Sequence, residues 1–351
     1  MIIDAESLDL AQEIETILEE VPPEVTGTVK PELMQSVLEV ATTPCPDLRT
    51  AGEQLRGLRQ AVAQVAESHG LMIGAAGTHP FARWEDQKIV ERPRYQELVA
   101  DLGYVARQEL IFGTHVHVGM DGPDKAIYVA DGVRRYLPLL LALSSNSPFW
   151  RGDETGMMSA RTPVFRAFPR VGIPPHYGSW EIYSRRVELM MEAGAIDDYT
   201  YLWWDVRPHP NLGTVETRVF DQQTRLEHTL SLAAMTLALC HRLAALFDES
   251  EPMVETPTEL IDDNKVRAAL RGIEGELIDF PRMRSVPATD MIRHLLSVLA
   301  GDAEELGCAE ELAGIEDLIE TGTGARRQLR MFARNGDLRD LVREVAARTL
   351  P

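Results

Sequence analysis

Two histidines one residue apart are the sharpest candidate for chemistry, in Thr114-His115-Val116-His117-Val118-Gly119. On a strand, successive side chains face opposite ways, so His115 and His117 point together while Val116 and Val118 face the core. Two imidazoles on one face can share a metal or a phosphate; a hydrogen-bonded pair on a polar sheet face explains the pattern equally well. A second alternating run, Thr214-Val215-Glu216-Thr217-Arg218-Val219, places Thr214, Glu216 and Arg218 on one face. Glu216 suits a hard cation and Arg218 a carboxylate or phosphate gripped through two N–H groups, with a cross-strand ion pair as the plainer alternative.

Further candidates are more scattered. Glu39 lies between Leu38 and Val40, and an acid in an apolar run is costly unless paired or metal-bound. Glu32 stands seven residues earlier, on the opposite face of any unbroken strand, so a bulge or break near Pro31 is needed to bring the two together. Arg151 and Arg161 flank a Gly- and Met-rich turn, and Arg207 follows Trp203-Trp204-Asp205. Thr321-Gly322-Thr323-Gly324-Ala325-Arg326-Arg327-Gln328 is a glycine-rich helix entry whose N–H groups could hold phosphate oxygens, although it equally suits a plain helix start. It lacks P-loop spacing, and no GxSxG elbow, HExxH or strand-following GxGxxG occurs.

The elements that must position these residues divide along the chain. Residues 47–68 have apolar positions at helical spacing, and 71–76 form a short apolar run suited to a buried strand. Residues 109–119 and 213–221 alternate and are rich in β-branched side chains, with Pro208 and Pro210 excluding helix before the second. Residues 152–179 read as a long irregular connection of the kind that often carries function. Beyond Asp221 the pattern is helical almost to the end, which predicts an α+β fold.

Composition narrows the class. The 351 residues are 44% hydrophobic and 26% charged, enough apolar material for a sizeable core. The net charge of -20 disfavours a nucleic acid partner. Three scattered cysteines, Cys45, Cys240 and Cys308, form no CxxC pair and fit a reducing compartment. Met1 to Glu6 has no signal-peptide character, and residues 230–247, interrupted by Ser231, Thr236 and His241-Arg242, read as a buried helix. A cytoplasmic protein with no membrane partner is expected.

Taken together, LEVATTP (38–44), FGTHVHVG (112–119), SSNSPFWRGDETG (144–156) and WWDVRPHPNLGTVETRVFD (203–221) resemble the second type of glutamate–cysteine ligase, or carboxylate–amine ligases. DNKVRAALRGIEGELID (263–279) and GTGARRQLRMFARNGDL (322–338) continue the resemblance, in the family's order, through the whole chain. It implies a glutamine-synthetase-like fold, a curved antiparallel sheet forming an open funnel with helices outside. One catalytic domain over 1–351 is expected, strand-rich with most of the site in 1–221 and helical, packed on the sheet, in 222–351.

The implied reaction uses ATP and Mg²⁺ or Mn²⁺ to phosphorylate a carboxylate, commonly the γ-carboxylate of glutamate, after which an amine such as cysteine attacks. By motif, Glu39, His115 and Glu216 would be metal or nucleotide-phosphate ligands, with Glu32 a further ligand. Arg218 and Arg161 would hold substrate carboxylate or the phosphoryl group. His117, Arg151, Arg207 and Arg326 complete the candidates, as substrate or nucleotide contacts. Two departures stand out. Family members open with a strand carrying a glycine and clustered glutamates, which precedes the segment that Ile2-Ile3-Asp4 resembles, so a natural protein extended upstream is expected. Asn146 and Ser147 stand where small residues are common. The competing expectation is a catalytically impaired nucleotide- or amino-acid-binding relative. A metal hydrolase built on His115 and His117 ranks below both. An exposed sheet edge would allow a homodimer.

Overall fold

The computed structural model describes residues 1–350 and has an α+β fold. Its largest sheet has three antiparallel strands, with Thr214–Asp221 in the centre, Val206–His209 on one side and Gly113–Gly119 on the other. The register sets His117 and Arg207 on either side of Glu216, and Val118 opposite Val215. Because the side-chain period is two, this places the histidines and Glu216 on one face and the valines on the other. The pairing with Gly113–Gly119 shifts between Thr217 and Phe220, and the irregularity falls on the segment that contains Arg218.

The remaining strands pair in twos. Ile2–Asp4 lies against Leu71–Ile73, Thr28–Pro31 against Leu38–Ala41, and Glu276–Asp279 against Arg284–Pro287. Two strands are shorter than their patterns predict. Residues 109–112 precede the strand rather than join it, and the apolar run after Leu71 leaves the sheet at Ile73. Burial explains both, since Leu110, Phe112, Ala75 and Ala76 are buried without needing strand geometry. The 152–179 connection contains the short helix Arg161–Phe165.

The helix expected from residue 47 spans Leu48–Ser68, with the Asp47 carboxylate accepting the Thr50 N–H at 2.7 Å as its cap. Such a cap contributes about 1 kcal/mol. Helices dominate from Leu226 onward, interrupted by the hairpin 276–287. The helix Leu226–Asp248 is long and apolar enough to cross a membrane by length and composition. Its Leu232, Met235, Leu239 and Leu243 pack in one cluster with Val118, Val215, Val219 and Phe220, the apolar side of the sheet. The expected buried helix is therefore what supports the floor of the site.

Arg59 ties this helix-and-sheet layer together. Its buried guanidinium donates to the carbonyls of Gln223 (3.1 Å) and Thr224 (2.8 Å), just beyond the central strand, and of Thr349 (3.1 Å) near the C-terminus. Burial lowers its pKa to about 10, which leaves it charged at neutral pH. Arg59→Met orphans all three carbonyls and is expected to cost about 3–5 kcal/mol, read as a lowered urea midpoint with an unchanged slope.

Candidate functional site

Glu216 is the centre of the site. It is 2% exposed, and Arg207 Nε donates to its Oε2 at 2.6 Å while Arg218 donates to Oε1. The Nδ1 of His115 and the Nε2 of His117 each lie 3.6 Å from the same Oε1. Burial alone would raise the Glu216 pKa, yet the Arg218 and Arg207 charges hold it well below the usual carboxylate range. The same surroundings act oppositely on the histidines. Burial first, then the Arg218 charge, keeps His115 well below its ordinary value, and burial also lowers His117. Both are neutral at pH 7, able to accept a hydrogen bond or a cation. His117 pairs with the Thr214 hydroxyl at 2.9 Å, and its ring stands 5.5 Å from that of His209, edge to face.

Arg207 plays a different part from the substrate or nucleotide contact expected. It is 7% exposed, and its second nitrogen donates to the carbonyls of Thr200 (2.8 Å) and Leu202 (2.7 Å). Those bonds and the one to Glu216 commit the guanidinium to the protein, and it anchors Glu216 from behind.

Arg161 lies on the neighbouring side of the central strand. Its terminal nitrogens donate to the carbonyls of Val219 and Arg218, both at 3.3 Å, and its guanidinium packs over Gly113. Asp221, fully buried, faces it and accepts from the Asn146 N–H (2.8 Å), the Ser147 hydroxyl (2.7 Å) and the Ser159 hydroxyl (2.9 Å). Ser147 in turn accepts the Arg161 N–H at 3.1 Å. Asn146, a departure from the family pattern, also bonds the Gln222 carbonyl (2.7 Å) and receives Gln328 Nε2 at 2.8 Å on its side-chain oxygen. The Nε atoms of Arg161 and Arg218 are both buried and have no hydrogen-bond partner. Two orphaned cationic donors in one site are a demand for an anion.

The carboxylates form a second array. Residues 32–39 are no single strand: the chain turns back after Pro31, and the strand ending there pairs with Leu38–Ala41, with the Glu32 N–H directed to the Val37 carbonyl. The hairpin is the break near Pro31, one of the two ways expected to bring Glu32 and Glu39 together. Glu39, and then Glu109, add negative charge beside the Glu32 carboxyl. Burial, then Glu39, pushes Glu32 up to about 8, and burial pushes Glu109 up to about 7 despite the nearby charges of Arg161 and Arg218. Tyr95 closes this end, its hydroxyl on the Pro31 carbonyl at 2.9 Å. Glu109 carried no signal in the sequence beyond an acid ahead of an apolar run.

Two candidates lie outside the assembly. Arg151 pairs with Glu85 at 2.6 Å, and Arg326 approaches Glu274 at 3.0 Å. Among the described residues no hydrogen bond or ion pair links either to the Glu216 group. The glycine-rich helix entry beside Arg326 also serves packing, since a Cβ on Gly324 would lie 2.0 Å from Asn146 Oδ1 and the Ala325 N–H is already bonded to the Ser145 carbonyl.

Among the described residues no three His, Cys, Asp or Glu side chains form a ready metal cage. Glu32 and Glu39 nevertheless fit a hard cation, because Glu39 and Glu109 both add negative charge beside the Glu32 carboxyl. Both oxygens of Glu216 are already taken by arginines.

The α+β fold holds carboxylates and arginines with unused donors near the central strand, and the relatives give the protein's class. The family model for glutamate-cysteine ligase family 2 matches residues 3–344. A Rubrobacter xylanophilus protein provisionally named glutamate–cysteine ligase 2-1 is 42% identical over 350 residues, covering 100% of this chain and 93% of its own. A Sorangium cellulosum protein provisionally named glutamate–cysteine ligase 2 is 41% identical over 343 residues, covering 97% and 92%. The crystal structure of the glutamate–cysteine ligase of Francisella tularensis in complex with AMP superposes with a TM-score of 0.74 at 13% identity, over 100% of this chain and 86% of that one. The fold is the same. The chain belongs to glutamate-cysteine ligase family 2 and is a carbon–nitrogen ligase.

The seat of Arg161 is testable through Gly113, where a Cβ would come within 2.6 Å of an Arg161 terminal nitrogen. Gly113→Ala should displace that flexible guanidinium with little loss of melting temperature, and lower ligase turnover by at least about tenfold.

Proposed function

We propose that the chain is an ATP-dependent ligase that joins the γ-carboxylate of glutamate to an amine such as cysteine through an acyl phosphate, releasing ADP and phosphate. The observation that carries the proposal is the pair of buried, partner-free Nε–H groups on Arg161 and Arg218 beside the Glu32–Glu39 carboxyl pair. A cationic seat suits the oxygens of a transferring phosphoryl group, and the acids suit the cation that accompanies a nucleotide. The AMP in the Francisella tularensis structure supports nucleotide use.

In the reaction a carboxylate oxygen attacks the γ-phosphorus of ATP and ADP leaves. The amine nitrogen then attacks the acyl carbon, the C–N bond forms, the C–O bond to phosphate breaks, and the amine proton is lost. Arg218 and Arg161 stabilise negative charge at the phosphoryl oxygens, where fixed donors in a dry site act strongly. Glu216 holds Arg218 in place, and neutral His115 and His117 offer acceptors beside it. Glu32 and Glu39 would hold Mg²⁺ or Mn²⁺, which neutralises phosphate charge when bound, with neutral His115 as a further ligand. We extend the proposal to domain organisation: 1–351 acts as one catalytic domain, with 222–351 backing the sheet.

ADP release should require ATP, glutamate and an amine together. Arg218→Ala and Glu216→Gln should each lower it by at least about a hundredfold. Unchanged amide formation in both variants, or turnover without ATP, defeats the proposal.

The raised carboxyls give a separate test. The folded state binds their protons more tightly than the unfolded chain, so the stability they contribute is complete at acid pH and lost as pH rises through about 7 for Glu109 and about 8 for Glu32. Without divalent ions the melting temperature should fall between about pH 5 and pH 8, and Mg²⁺ should raise it more at the alkaline end. An equal Mg²⁺ gain in Glu32→Gln would remove Glu32 from the cation site.

A further inference from the structure

A buried ion pair outside the array of anion-binding groups lies directly behind it. Lys265, on the helix Thr258–Arg271, donates to Asp205 Oδ2 at 2.5 Å, and the two side chains are 9% and 4% exposed. Asp205 falls between Trp203–Trp204 and Val206–His209, sixty residues away in sequence. It accepts the Arg218 N–H on its backbone oxygen at 2.7 Å, and its own N–H donates to the Gly172 carbonyl at 2.9 Å. The Arg218 bond is the next rung of the ladder with Val206–His209, in step with Val206 opposite Thr217, while on the strand's other edge the pairing with Gly113–Gly119 lapses between Thr217 and Phe220. A bulge of this kind re-aims a side chain, and the Asp205 carbonyl anchors Arg218 from the opposite edge of the strand. The Asp205 carboxylate also faces the Arg161 charge.

An ion pair desolvated at both ends adds little net stability compared with apolar packing, so its use is better sought in what it fixes. Next to Lys265, Asn264 bonds both the N–H (2.7 Å) and the carbonyl (2.9 Å) of Ile278. The dipeptide thereby joins the 276–287 hairpin to the back of the site.

We propose that Lys265 is a positioning residue for the ligase reaction: through Asp205 it fixes the bulge from which Arg218 projects and keeps the Asp205 charge from drawing Arg161 off its seat over Gly113. The proposal rests on Arg161 and Arg218 acting as the anion-holding groups.

The test uses the full chain with Lys265→Met and with Lys265→Met/Asp205→Asn. The single variant leaves Asp205 buried beside Arg161 without its partner, and should lose both melting temperature and turnover. The double variant removes both charges, and should recover most of the melting temperature while kcat stays at least about tenfold low with the KM for ATP within about threefold of the parent. Hydrogen exchange at the Arg218 amide should be faster in the double variant. A double variant with parental kcat and a protected Arg218 amide overturns the proposal, since the pair would then only stabilise. Should the parent protein show no turnover, the proposed reaction fails, and the exchange rate of the Arg218 amide alone decides whether Lys265 fixes the bulge.

Discussion

A single carboxylate held between two arginines organises the site. Glu216 is almost wholly removed from water, which would be prohibitive for an isolated charge. Arg207 and Arg218 make it tolerable, and each can do so only while the central strand keeps its register with Val206–His209 and Gly113–Gly119. The neutral state of His115 follows from burial and from the same Arg218 charge. Arg207 is itself fixed by the Thr200 and Leu202 carbonyls, so the 199–201 turn becomes part of the support for Glu216.

Behind this face the chain spends its apolar residues on rigidity. Leu232, Met235, Leu239 and Leu243 of the long helix press on Val215, Val219 and Phe220, and one-residue slippage of the central strand would expel those side chains from the core. Asp221, at the strand's end, gathers Asn146, Ser147 and Ser159 by hydrogen bonds that oppose the rise burial imposes on its pKa. Through Asn146 and Gln328 the helix Gly324–Asn335 is tied to the loop that carries Ser147 and hence to Arg161. The C-terminal helices thus reach the site through polar contacts, and their role exceeds covering the sheet.

Strand alternation made part of this legible. Period two put His115 with His117 in 114–119 and Glu216 with Arg218 in 214–219, the valines marking the buried face, and the pairing of the two strands is what the structure adds. The helix from Leu48 was equally plain, with a capping aspartate before an apolar stripe. What stayed hidden depends on chain reversal and on partners distant in sequence. Nothing in Glu32-Leu33-Met34-Gln35-Ser36-Val37 announces a tight turn by Gly, Asn or Pro, so the hairpin that joins Glu32 to Glu39 was indistinguishable from a strand. The inward role of Arg207 and the isolation of Arg151 and Arg326 are matters of which carbonyl or acid lies nearby, which composition does not encode.

The two arrays differ in what they lack, and that difference gives the site its direction. The arginines present positive charge with unused donors, while burial, helped at Glu32 by the neighbouring Glu39 and Glu109, leaves Glu32 and Glu109 holding protons near neutrality. Neither array is at rest alone: one is short of an anion, the other of a cation. A metal-bound polyphosphate supplies both at once, and supplies them in a fixed order along its length. On a chain of net charge -20, the proposed reaction needs such local pairing of opposite charges to hold a strongly anionic substrate. The same arrangement explains why Arg161 and Arg218 are so heavily braced from behind. An unbraced guanidinium would swing to Glu109 or Asp205 and satisfy itself internally, and the demand for an anion would disappear.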